Sequence, residues 1–153
     1  MSDAPSEPPR PQHTTLTADD WMAQARRDLR AAEHLLQGTF AVHATVCAHL
    51  AAEKALKALC RARTDAPPPV SHDLHALAQR ARFDASGDVA AALDALSSLS
   101  ILSLYAADRP FGHAVADAVP QARERVAHAH TLLNTITDGL TRPETTKRPP
   151  RDT

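Results

Sequence analysis

The chain has 153 residues, 43% of them hydrophobic and only 3% aromatic, with four glycines and a formal net charge of −1. That length fits one domain, and the near-neutral balance lacks the basic field of a nucleic-acid binder. Its 31 alanines favour helix and the strand-favouring aromatics are scarce, which argues against an all-β fold. No Val/Ile run sits beside a glycine-rich turn, which argues against a Rossmann sheet.

Apolar stretches are broken by charges well short of a membrane span. The N-terminus is rich in proline and acids and lacks the apolar segment of a signal peptide. Cys47 and Cys60 fall 13 residues apart in one helical pattern. Such a spacing separates them by about 20 Å, too far for a disulfide. A reduced, cytoplasmic protein is the simplest expectation.

Prolines divide the chain. Pro5, Pro8, Pro9 and Pro11 mark a tail over residues 1–16, and Pro143, Pro149 and Pro150 mark a mildly basic tail over 141–153. Neither has apolar periodicity, so both read as disordered, leaving 17–140 as one helical domain. Thr17 with Asp19 and Asp20 suits a helix start. Trp21, Ala25, Leu29, Ala32 and Leu36 then recur at helical spacing until Gly38. A second helix is expected over Phe40–Arg63, with Ala44, Cys47, Ala51, Ala55, Ala58 and Cys60 or Leu59 inward, stopped by Pro67-Pro68-Pro69. Ser71 is expected to cap a short third helix carrying Leu74, Leu77 and Ala78. Gly87-Asp88 opens a fourth over about Val89–Tyr105, followed by a loop over Ala106–Gly112. In the last helix, about Ala118–Leu140, Val119, Ala122, Val126, Ala129, Leu133, Ile136 and Leu140 step by three and four. That stripe needs a covering helix or a second subunit. The pieces make an all-α, up-and-down antiparallel bundle of four long helices plus one short one. Alanines bury little area each, so such a domain would gain from dimerisation.

The second helix carries the unusual residues. His43, His49, Glu53, Lys54, Lys57 and Arg61 fall on adjoining faces. Glu53 and Lys57 stand four apart with the acid first, the favourable order for a surface pair. Lys54, Lys57 and Arg61 can also be read as a cationic strip able to meet phosphates.

Three segments together, Trp21-x3-Ala25-x2-Asp28-Leu29-x2-Ala32, Ala51-Ala-Glu-Lys-Ala-Leu-Lys-Ala58 and His72-Asp-Leu74, resemble the HEPN domain (higher eukaryotes and prokaryotes nucleotide-binding). The similarity covers about Leu16 to Leu140. It implies a helical bundle, usually a homodimer. It also implies a minimal nucleotidyltransferase partner within toxin–antitoxin or defence modules, a nucleotide ligand, and in some branches metal-independent ribonuclease activity.

The ribonuclease branches carry Arg-x4-6-His. Arg123-x4-His128 and Arg125-x4-His130 match literally, but both lie in one expected helix. A five-residue step turns about 140°, so Arg and His diverge there. Arg109-Pro-Phe-Gly-His113 is a loop candidate with a spacer of three, shorter than the pattern, and Arg109 and His113 are the only catalytic candidates. The related Arg-x4-His-x-Tyr branch is not matched, since Tyr105 is the only tyrosine. His72 and Asp73 read either as a contact for a ligand or as the cap of the third helix. No Cys-x2-Cys or His-Glu-x2-His occurs, so no metal is expected. The candidate ligand-binding set is therefore Glu53, Lys54, Lys57, Arg61, His72, Asp73, Tyr105 and Arg109. The leading expectation is a non-catalytic module that binds a nucleotide or a minimal nucleotidyltransferase and needs no cofactor. The alternatives are an RNA endonuclease toxin and a ligand-free dimerisation module.

Overall fold

The computed structural model describes residues 16–64, 66–98 and 115–142. Every regular element among the described residues is a helix: α1 (Ala18–Gln37), α2 (Ala41–Thr64), α3 (Leu74–Arg80), α4 (Asp88–Ser97) and α5 (Val115–Thr141). Both expected tails lie almost wholly outside them, as do the expected end of the fourth helix, the loop after it, Tyr105, Arg109 and His113.

α1 begins on a reciprocal cap. The Asp20 amide donates to Thr17 Oγ1 at 3.1 Å, and the Thr17 amide donates to Asp20 Oδ2 at 2.9 Å. Two of the helix's unpaired N-terminal donors are thereby used. Hydrogen bonds from the Thr17 backbone and hydroxyl also hold the Asp20 carboxyl below its ordinary value. At the other end Gly38 closes α1 as expected, but the left-handed residue is its neighbour Thr39, at φ 63°. The Phe40 amide reaches back across that turn to the Leu35 carbonyl at 2.9 Å, which closes α1 and launches α2.

α2 is the centre of the bundle. It packs on α1, α5, α3 and α4, and from Ala51 to Cys60 only Lys54 is not buried. A helix covered on all sides cannot carry a single apolar stripe. Alanines supply most of its buried surface, so neighbouring helices can lie close to its backbone. Beside the expected inner positions, Ala48, Ala52 and Leu56 are fully buried, whereas Cys47 is only half-buried.

α3 is capped by Asp73 rather than Ser71. Asp73 Oδ1 accepts from the Ala76 amide at 3.1 Å, while Ser71 Oγ accepts from the Asp73 amide at 3.1 Å. The serine thus fixes the cap residue and the aspartate caps the helix. α4 starts after Gly87, whose φ of 56° is open to glycine at little cost.

α5 begins three residues earlier than the expected Ala118 and takes Pro120 inside its second turn. The proline removes one helical N–H there. Ala122, Val126, Ala129, Leu132, Leu133 and Ile136 of α5 are buried. The neighbours that cover them are α2, α4 and α1 of the same chain, so the long apolar stripe finds its cover without a second subunit. Leu132, absent from the expected stripe, is one of the largest fully buried side chains.

Candidate functional site

Glu53 and Lys57 are not the solvated surface pair their spacing suggests. The Glu53 side chain is 5% exposed and that of Lys57 10%. Lys57 Nζ donates to Glu53 Oε1 at 2.7 Å. The second oxygen, Oε2, accepts from His72 Nδ1 at 2.9 Å, so Nδ1 carries the proton. Lys57 Nζ also lies 5.4 Å from the centroid of the Trp21 ring, over its face, which attracts a largely desolvated cation. Three segments far apart in sequence therefore meet: α1 through Trp21, α2 through Glu53 and Lys57, and the turn before α3 through His72. Burial pushes the Glu53 carboxyl up, but the hydrogen bonds and charges of Lys57 and His72 outweigh it and hold the group below its ordinary value.

The next residue along α2 is used in the same way. Lys54 Nζ pairs with Asp28 Oδ2 of α1 at 2.6 Å. Lys54 and Lys57 are thus each neutralised inside the chain, and with Arg61, half-buried one turn on, they do not make the cationic strip the spacing suggests. Two acids balance two lysines, so the cluster projects little net field toward an anion. Its outer edge is His72, whose side chain is 76% exposed. Asp73 serves as the cap of α3 and does not orient His72.

His49, placed by sequence on the polar side of the helix, is buried. Its Nδ1 lies 3.1 Å from the Leu96 carbonyl, so Nδ1 donates and ties α2 to the end of α4. Nε2 is buried without a partner. Cys47 and Cys60 are both free thiols; burial pushes both up, with Asp28 adding to the effect at Cys47. Neither is a ready nucleophile. Among the described residues no group of three His, Cys, Asp or Glu is placed to hold a metal ion. No described helix is long and apolar enough to cross a membrane.

The cluster is assembled from the segments that carry the sequence resemblance, Trp21, Glu53, Lys57 and His72, and comparison with known proteins agrees with it. The HEPN domain profile matches residues 18–138. The chain belongs to the HEPN domain family. Among solved structures this HEPN domain is similar to TT1696 from Thermus thermophilus, with 28% identity, a TM-score of 0.66, and coverage of 79% of this chain and 96% of that one. It also resembles ST0689, described as an archaeal HEPN homologue, with 22% identity, a TM-score of 0.65, and coverage of 82% and 99%. The second likeness speaks to the fold alone. No curated protein sequence matches the chain.

Within the HEPN domain the two literal Arg-x4-His pairs lie on α5, and their histidines pair with glutamates. His130 Nε2 meets Glu33 Oε1 of α1 at 2.6 Å, joining the two helices. His128 Nε2 stands 3.7 Å from Glu124 Oε1, one turn back on the same helix. Sequence alone missed Trp21 and Asp28 as partners of the α2 lysines. Their helical spacing was visible, but which α2 residues they face depends on the register of the α1–α2 hairpin.

Proposed function

We propose that this HEPN domain is a non-catalytic binding module. It acts as a homodimer and engages a nucleotide or a minimal nucleotidyltransferase in a toxin–antitoxin or defence setting. One observation carries the reading. The charged residues that give the chain its family signature are spent on one another: Lys57 and His72 on Glu53, and Lys54 on Asp28. A general acid, base or phosphate ligand must be available to its substrate. Of these groups only His72 is exposed; the lysines and carboxylates instead lock α1, α2 and the α3 turn together, which suits a scaffold that presents a surface.

Calorimetric titration of the full chain with purine and pyrimidine nucleoside triphosphates, and with a minimal nucleotidyltransferase encoded beside it, tests the reading. Binding to either is expected. Binding to neither would sink it. Cleavage of RNA by the purified chain, abolished by Arg109→Ala or His113→Ala, would replace it with the endonuclease reading.

A further inference from the structure

The ends of α2 and α3 bring together a second group of charges, unlike the first in that no described acid neutralises it. Arg63 and Thr64 from the last turn of α2 meet Arg80 at the end of α3 and Arg82 in the turn after it, and the four line a hollow of about 400 Å³. An adjoining hollow of about 460 Å³ shares Thr64, Arg80 and Arg82. The lining residues are exposed, so both hollows are open to solvent.

Arg63 is fixed in place. Its Nη1 donates to the Ala81 and Arg82 carbonyls at 2.9 and 2.7 Å. One guanidinium nitrogen is thus committed to the protein, and the planar group is held at the wall of the hollow. Arg82 stands at φ 50°, in the left-handed region. The turn around it closes α3, with the Phe83 amide donating to the Ala78 carbonyl at 2.9 Å. Glycine is the residue that this position favours. The chain therefore accepts backbone strain and carries a cation there.

No described acid lies within ion-pair distance of Arg63, Arg80 or Arg82. Asp84, Asp73 and Glu53, the described acids nearest along the chain, are not paired with them. Counter-charge from the helix dipoles does not close the balance. Among the described groups, the two C-termini bring roughly half a negative charge each against three guanidinium charges, an excess of about two positive charges. In a chain whose net charge is −1, that excess is local.

We infer that Arg63, Arg80 and Arg82 form an oxyanion site that holds a phosphate or diphosphate group. Guanidinium forks match phosphate oxygens bidentately, and two of the three are free to turn toward a ligand. The site does not rest on the binding-module reading, since a phosphate seats here whatever the module's partner is.

Calorimetry and phosphorus NMR of the full chain with pyrophosphate test the site. One pyrophosphate per chain is expected, with binding saturating below about 10 mM. Arg80→Gln with Arg82→Gln should weaken it at least about tenfold. Arg82→Gly separates binding from folding: it relieves the left-handed strain, so the melting temperature should hold or rise while pyrophosphate affinity falls. A control on α1, Arg26→Gln with Arg27→Gln and Arg30→Gln, should leave binding unchanged. Adenosine diphosphate and adenosine distinguish the sources of the phosphate. Diphosphate nucleotide binding as tight as pyrophosphate supports a bare anion, and tighter binding supports a nucleotide; adenosine alone should not bind. Absence of pyrophosphate binding, loss of binding in the α1 control, or full binding in Arg82→Gly would overturn the site. Nucleotide binding untouched by all the α3 substitutions would also overturn it, while leaving the binding-module reading standing.

Discussion

At the scale of single residues, the informative pair is Glu53 and Lys57. Removing one partner of a buried pair leaves the other uncompensated, whereas replacing both with apolar groups removes the desolvation cost as well. Glu53→Gln is therefore expected to destabilise the fold by about 2–3 kcal/mol in urea unfolding. Glu53→Leu combined with Lys57→Met should come back to within about 1 kcal/mol of the parent chain. A double variant as unstable as the single one would mean that the pair does more than compensate itself. The same residue sets an acid limb of stability. Its folded-state carboxyl titrates below the ordinary value of 4.5. A depressed carboxyl contributes stability that is present above the unfolded value and is lost as the pH falls through the folded one. The gap between parent and Glu53→Gln should thus be widest near neutrality and shrink below pH 4.5. A gap independent of pH would refute the assignment.

At the scale of elements, the hinge between α1 and α2 stores strain that the cap of α1 does not. Thr39 holds φ 63° with a β-branched side chain, a conformation that costs about 1–2 kcal/mol for most residues. Thr39→Gly relieves it, less the entropy that glycine adds to the unfolded chain. A net gain of about 0.5–1 kcal/mol is expected by chemical denaturation. Thr17→Ala, which removes the reciprocal cap, should cost about 1 kcal/mol. The contrast marks what a sequence discloses. Thr17, the α1 stripe and the α5 stripe were legible because capping and a 3.6-residue period are local properties. The burial of Lys57 was not. α2 is alanine-rich on every side, so no stripe betrays which face is wet, and an acid–lysine pair four apart reads as surface. The arginine hollow was hidden for a further reason: Arg63 and Arg80 are adjacent only because the chain turns between α2 and α3. Asp73 displaced Ser71 as cap because a two-residue shift in where α3 begins is invisible to an apolar period.

At the scale of the molecule, the scarcity of large apolar side chains raised the expectation that a partner would have to complete the core. The fold answers that demand differently. α2 runs through the centre and is enclosed by the other helices of its own chain, its Leu56 and Leu59 fully buried against Leu74, Leu77, Leu96, Leu132 and Ile136. Polar ties then span the helices at separate levels: Lys54 to Asp28, His72 to Glu53, His49 to the Leu96 carbonyl, and His130 to Glu33. A protomer built this way is expected to fold before it assembles, which would make the proposed homodimer an association of folded units. An obligate dimer would lose structure as it is diluted, by mass action. Here dilution from about 100 µM to about 1 µM should shift the sedimentation coefficient toward the monomer while far-ultraviolet circular dichroism keeps its helical signal. Helicity that falls in step with dissociation would show that the core closes only between two chains.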